Sequence, residues 1–264
     1  MLEEKLDLPE PIAFSSPEER AAAVAFFNAA FRAEESGLRQ AHELSAEVAE
    51  SDPELSECLK LYGDEEGWHR QLLTEFLAWL GGTVRPMGRT TRTFYSLYAR
   101  AKRMESIVLV NLMFETIGST TYRLALRRAK HPAVRQMLTI LTRDESFHVP
   151  LNVHFLRCAL QQSSQPRWRL RAIYHSTLAA LLASTIPSRR RAERFDGIPR
   201  SVLTRAYATE LSRLFLSEDD LGLAPSVLQL RLLGLDRADL MRGPSTVSLE
   251  AAEQSVDRER VVVS

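Results

Sequence analysis

The sequence predicts an all-α protein: two long helical hairpins forming a four-helix bundle, followed by further helices. Three observations predict it. Apolar residues recur every three or four positions through long segments, with no run of alternating strand-type residues between them. The 11 glycines and 12 prolines fall mostly at the breaks between those segments. Cap-and-proline signatures stand where the segments begin.

The first helix is expected from Ser16 to Ala49, opened by Ser16-Pro17-Glu18-Glu19 with a cap, a proline in the first turn and early acids. "ESDPEL" then turns the chain, with Asp52 capping and Pro53 starting a second helix that ends at Gly81-Gly82. "GGTVRPMGRT" reads as a loop. A third helical region runs to Lys130, and "KHP" leads into a fourth helix over about 132–161. "QQSSQP" is a polar linker; 166–186, 199–217 and 224–235 read as three more helices. The organisation expected is therefore an N-terminal tail (1–16), the bundle (17–161), a C-terminal helical extension (162–238) and a flexible tail (239–264).

Composition narrows the function classes. Thirty-four basic residues balance 34 acidic ones, so no net field favours nucleic acid, and the basic run "SRRRAER" (188–194) reads as a solvated helix end. Cys58 and Cys158 are too few for a disulfide framework and read as reduced, buried helix residues. The N-terminus lacks the pattern of a secretion signal. No apolar stretch reaches spanning length, "STLAALLASTI" (176–186) included. A cytoplasmic location without a transmembrane segment is the expectation.

Chemistry is concentrated in a motif that occurs twice. "GDEEGWHRQ" (63–71) puts Glu66 and His69 on the apolar face that also carries Leu59, Tyr62, Leu73 and Phe76. "RDESFHVPL" (143–151) repeats it with Glu145 and His148, and both residue types are offset by 79 positions. In each copy an acid precedes the glutamate (Glu65, Asp144) and an aromatic precedes the histidine (Trp68, Phe147). A buried carboxylate beside a buried imidazole is costly unless something pairs with both.

Each hairpin also carries a glutamate on the apolar face of its first helix. In the third helix it is Glu115, within "IVLVNLMFETIG". In the first it is Glu35 or Glu34, and the offset of 80 from Glu35 to Glu115 favours Glu35. With turns at Ser51 and His131, Glu35 and Glu66 lie 16 and 15 residues from theirs, and Glu115 and Glu145 lie 16 and 14 from theirs. At about 1.5 Å per residue, each hairpin brings its carboxylates to within roughly one helical turn of the same height. Four carboxylates meeting in an apolar bundle would repel and take up protons unless divalent cations neutralise them. Oxygen and imidazole donors without thiolates suit iron or manganese. Glu35, Glu66, His69, Glu115, Glu145 and His148 are thus the candidate metal and catalytic residues for two iron ions, or an iron–manganese pair.

Through Glu35, "EGWH" (66–69), Glu115 and "ESFH" (145–148), residues 17–161 resemble the ferritin-like di-iron carboxylate superfamily. Order and spacing look closest to its rubrerythrin-like and aldehyde-deformylating-oxygenase-like members. The resemblance implies a ferritin-like bundle with a crossover between the hairpins, and it implies that Glu65 and Asp144 orient the ligand histidines. His42 and Tyr122 lie seven residues after Glu35 and Glu115, and Tyr62 one turn before Glu66, so these three stack on the site's face, in a packing or a redox role. Glu105 is a weaker rival on the third helix, and His154 and His175 lack partners. Pro150 should kink the fourth helix, and Gly67 should weaken the second by about 1 kcal/mol. Because the chain must travel the bundle's length between hairpins, the third helical region should break, leaving "RTFYSLYARAKR" (92–103) as a separate crossover helix.

The function expected is an oxidase or oxygenase in which two irons activate O2 on a small apolar organic substrate, with Leu38, Phe114, Ile117 and Trp68 keeping the site dry. The electron donor is left unassigned. The residues after the bundle furnish a substrate pocket or a dimer surface, so a homodimer is an open expectation. The alternatives are a ferroxidase or rubrerythrin-like peroxide reductase, and a non-catalytic helical interaction protein.

Overall fold

The computed structural model describes residues 5–8, 12–86 and 103–242, without the side chains of 183–191. Every described element is helical: α1 Pro17–Val48, α2 Pro53–Trp79, α3 Met104–Leu126, α4 Pro132–Gln162, α5 Arg167–Asp196, α6 Arg200–Ser217, a 3-10 turn Asp219–Leu221, α7 Val227–Leu232 and α8 Arg237–Arg242. The fold is a ferritin-like helical bundle with additional helices.

The punctuation read from the sequence acts locally. The Ser16 side chain accepts from the Glu19 amide and the Asp52 side chain from the Leu55 amide, each with a proline in the first turn behind it. α2 ends where Gly81 takes a positive φ of 69°. The α1–α2 hairpin is clamped near its turn by reciprocal bonds, Ser45 Oγ to the Ser56 carbonyl (2.7 Å) and Ser56 Oγ to the Ser45 carbonyl (2.9 Å). At the other end of the pair, Arg20 donates to the Leu80 carbonyl (3.0 Å).

Helix α3 begins at Met104, so the third helical region does not extend back toward Thr91 as one described element. The expected crossover helix at 92–103 falls almost wholly outside the described residues. α4 continues unbroken through Pro150. α5 runs ten residues beyond its expected end at 186 and stops at Gly197, whose φ of 62° suits a C-terminal cap. The tail begins later than expected, since 237–242 is helical: Asp236 Oδ1 accepts from the Ala238 and Asp239 amides (2.8 and 3.2 Å), and Leu240 is buried with Leu216 and Leu230. The remainder of the tail lies outside the described residues. Both cysteines are free, but Cys58 is exposed and Cys158 half-buried, correcting the expectation of burial. Position 58 faces away from the Leu59–Tyr62 line that α2 buries. No described helix is long and apolar enough to cross a membrane.

Packing divides the bundle into two apolar layers. One gathers Phe27 and Phe31 of α1, Leu73 and Phe76 of α2, Tyr122 of α3 and Met137 and Leu141 of α4. The other gathers Leu44, Leu59, Leu109, Met113, Val153 and Leu156 with Tyr174, Leu211 and Phe215 of α5 and α6. α5 lies against α1 and α3, and α6 against α3. Between the two layers the bundle is crossed by a belt of acids and histidines.

Candidate metal centre

Glu34, Glu66, His69, Glu115, Glu145 and His148 meet in this belt, none more than 8% exposed. Two groups of donor atoms lie close enough to hold an ion: Glu34, Glu66 and His69 in one, and Glu66, Glu115 and His148 in the other, with Glu66 common to both. Glu145 joins the second group, its Oε2 lying 3.5 Å from His148 Nδ1.

The helix 1 member is Glu34 and not Glu35. Glu34 is 1% exposed, whereas the Glu35 side chain is 38% exposed and pairs with Arg32 on the outside of α1. One residue turns a helix by about 100°, so a single step separates core from surface. The buried stripe of α1 runs Ala23, Phe27, Ala30, Glu34, Gly37, Ala41, Leu44, in alternating steps of four and three. The two hairpins are not strict repeats: Glu34 and Glu115 are 81 positions apart, against 79 between the two motifs. His42 leaves the site by the same error: it stands seven residues after Glu35, is 44% exposed, and pairs with Asp64 at 3.1 Å across Gly63.

The remaining residues are brought together with a pseudo-twofold logic. His69 Nε2 donates to Asp144 Oδ2 (3.0 Å) and His148 Nε2 to Glu65 Oε2 (3.2 Å), so each acid before a motif glutamate reaches the histidine of the other motif. Arg143 holds Asp144 in turn, from Nε at 2.6 Å. These outer bonds fix both imidazoles with Nδ1 facing the inner carboxylates. Tyr62 donates to Glu115 Oε1 (2.6 Å) and Tyr122 to Glu34 Oε1 (3.0 Å), each tying two helices together. Trp68 packs on the His69 ring, with centroids 5.4 Å apart, while Phe147 is 38% exposed. Glu105, His154 and His175 stand elsewhere, with Ser163, Cys158 and Gln229 as respective partners.

Sequence reasoning missed Asn111, Asn152, Gly37 and Gly118. Asn152 Nδ2 donates to the His148 carbonyl (2.9 Å), and Asn111 Nδ2 donates to both Asn152 Oδ1 (3.0 Å) and Tyr62 Oη (3.2 Å). Asn111 lies one turn before Glu115 and Asn152 one turn after His148, a spacing that was available as a signal. A second repeat was also available. Glu34-x-x-Gly37 and Glu115-x-x-Gly118 share one pattern, and a Cβ on Gly37 would stand 2.8 Å from Glu66 Cδ. Glycine there makes room for the carboxylate. A small cavity of about 30 Å³ opens between α1 and α3 at this place, lined by Gly37, Asn111, Phe114, Gly118 and four of the glutamates. Leu38 instead faces Gly67, and Ile117 packs against the apolar layers.

Electrostatics follow from burial and pairing. Burial, with Glu34 beside it, pushes Glu66 well above the carboxylate range, and burial with Glu115 beside it does the same to Glu145. Burial also opposes ionisation of Glu34 and Glu115, but hydrogen bonds from Glu66 and His69 hold Glu34 low, and the His148 imidazole and Glu145 carboxyl beside it bring Glu115 to about 2. Burial disfavours charge on His69, yet its bonds to Asp144 and Glu34 raise it to about 9. Contacts with Glu115, Glu145 and Glu65 likewise overcome burial and raise His148. Burial and nearby carboxylates keep Tyr62 and Tyr122 neutral donors. Without cations, burial and like charge thus favour the neutral form of Glu66 and Glu145, and the surrounding acids favour the charged form of His69 and His148.

The donor chemistry fits such cations. His148 Nδ1 and Glu145 Oε2 are buried with no hydrogen-bond partner, an expensive condition that an ion between them would relieve. No protein-family model matches the chain, and no curated protein sequence matches it. Among solved structures, a protein from Synechococcus described as having aldehyde deformylating oxidase activity superposes with a TM-score of 0.67 at 18% identity, covering 88% of this chain and 100% of its own. The chain has the ferritin-like fold of that protein, with glutamate and histidine clusters that fit a di-iron site.

Proposed function

We propose that this protein is a two-metal oxidoreductase that activates O2 on a small apolar organic substrate. Glu34, Glu66, His69, Glu115, Glu145 and His148 would hold two divalent ions, an iron pair or iron with manganese. The observation that carries the proposal is the orientation of the histidines. Both Nε2 atoms are bound by outer acids, while Nδ1 of His69 faces Glu34 and Nδ1 of His148 faces Glu66, Glu115 and Glu145. The aldehyde deformylating oxidase activity described for the structural neighbour supports the same class of chemistry.

When bound, the metal pair supplies redox equivalents and Lewis acidity that no side chain of this chain provides. The chain's own residues supply everything around it. Asp144 and Glu65 hold Nε2 of each imidazole and so aim both Nδ1 atoms at the inner carboxylates. Tyr62 holds Glu115 by one oxygen and leaves the second for an ion, whereas Tyr122 holds Glu34 by one oxygen and the second must exchange its bond to His69 for an ion. The carboxyl protons on Glu66 and Glu145 leave as cations enter. Apolar layers above and below exclude water. Electrons come from a separate donor.

The cavity favours one rival. Its volume of about 30 Å³ suits O2, peroxide or water and no organic chain, which supports iron or peroxide handling unless α1 and α3 separate. Anaerobic loading with ferrous ion, followed by O2, tests both. About two ions per chain and an oxygen-dependent spectral change that needs Glu34 support the proposal. Sustained turnover of ferrous ion without organic substrate favours the rival, and absence of bound metal sinks both.

A further inference from the structure

We infer that the two halves of the site are unequal and fill in order, the Glu115–Glu145–His148 half taking its ion first and the Glu34–His69 half second. This rests on the two-metal function proposed above and adds an order of loading to it.

The halves differ in what must be broken before an ion can enter. His69 Nδ1 is engaged by Glu34 Oε2 at 3.1 Å, with both side chains essentially inaccessible to water. An ion on that side must first displace this bond. His148 Nδ1 has no such bond. Oxygens of Glu66, Glu115 and Glu145 stand around it at 3.4, 3.6 and 3.5 Å, none in hydrogen-bonding geometry, and Glu145 Oε2 is equally unpartnered. An ion entering there satisfies two orphaned atoms and breaks nothing between donor and acceptor.

The halves also differ in how firmly their donors are held. On the His148 side a closed polar chain joins both helices that supply ligands. It runs from the His148 carbonyl through Asn152 and Asn111 to Tyr62 and Glu115. Because Asn152 Nδ2 is committed to that carbonyl, Asn152 Oδ1 must accept and Asn111 Nδ2 must donate. Tyr62 receives that bond on its oxygen and spends its proton on Glu115. Direction is thus fixed at every link, and Glu115 is held ready to bind. The Glu34 side has Tyr122 alone in this role, and Glu34 turns its other oxygen to His69. A bond to a charged group is worth enough to separate the two affinities by roughly tenfold to a hundredfold.

Calorimetric titration of the full-length, metal-free protein with manganous ion under argon tests the order, with circular dichroism checking that each variant folds. Two resolved steps are expected, of one ion each. Glu34→Gln should keep the tight step and lose or shift the weak one. Glu115→Gln should remove the tight step, and Asn111→Ala should weaken it about tenfold while leaving the weak step in place. Two ions of equal affinity, or a tight step that survives Glu115→Gln and disappears in Glu34→Gln, would overturn the order while leaving the two-metal function intact. Failure of the parent protein to bind any ion would overturn both.

Discussion

Alanine at Gly37 should cost metal affinity and alanine at Gly67 should raise stability, although both glycines lie in helix interiors beside the site. At Gly37 a Cβ would stand 2.8 Å from Glu66 Cδ and 2.9 Å from its Oε1. Ordinary carbon contacts begin near 3.5 Å, so the carboxylate must retreat by about 0.7 Å. Metal–ligand distances tolerate only about 0.2 Å, and Glu66 serves both donor groups. The helix gains about 1 kcal/mol from alanine, which overpacking of about 1–3 kcal/mol cancels or exceeds. Metal affinity should therefore fall roughly tenfold to a hundredfold with little gain in stability. At Gly67 the nearest atom is Leu38 Cδ1 at 3.5 Å, an ordinary contact. There the full gain of about 1 kcal/mol should appear, raising Tm by about 2–4 °C with affinity unchanged. Calorimetric metal titration and thermal melts read both quantities. Parent-like affinity in Gly37→Ala, or a matching loss in Gly67→Ala, would refute the crowding argument.

Metal affinity should rise with pH, because protons on Glu66, Glu145, His69 and His148 must leave; titrations between pH 6 and 9 should show it. Stability of the metal-free protein should move the other way. His69 is raised from 6.5 to about 9, so its contribution is full below about 6.5 and is lost as pH climbs through 9, at most about 3 kcal/mol in denaturant melts. A flat profile would show that His69 is not held as an imidazolium. Asp144→Asn should cost about tenfold to a hundredfold in metal affinity by loosening His69. Leu73→Ala, at a fully buried site in the layer above, should cost about 2–5 kcal/mol in stability.

The helices were legible because their caps and apolar periods are local properties. Ser16, Asp52, Pro53 and Pro132 mark their ends within a residue or two. Glu66, His69, Glu115, Glu145 and His148 were legible because buried charge on an apolar stripe has no cheap structural use. Glu34 was harder. Two adjacent glutamates differ only in phase, and the repeat between hairpins gives a different phase from the line Ala30, Gly37, Ala41. That line is made of small residues, which carry a weak hydrophobic signal but mark where helices approach closely. The Asn111–Asn152 bridge was invisible for another reason: two amides on different helices become a motif only once the helices are side by side. The Leu240 contact that orders α8 is likewise tertiary.

Metal content after anaerobic ferrous loading and desalting is the sharpest test of a two-metal site built on Glu34. About two ions per chain are expected in the parent and in Glu35→Ala, and at most one firmly held ion in Glu34→Ala. Loss of metal in Glu35→Ala with retention in Glu34→Ala, or no metal in the parent, would contradict it.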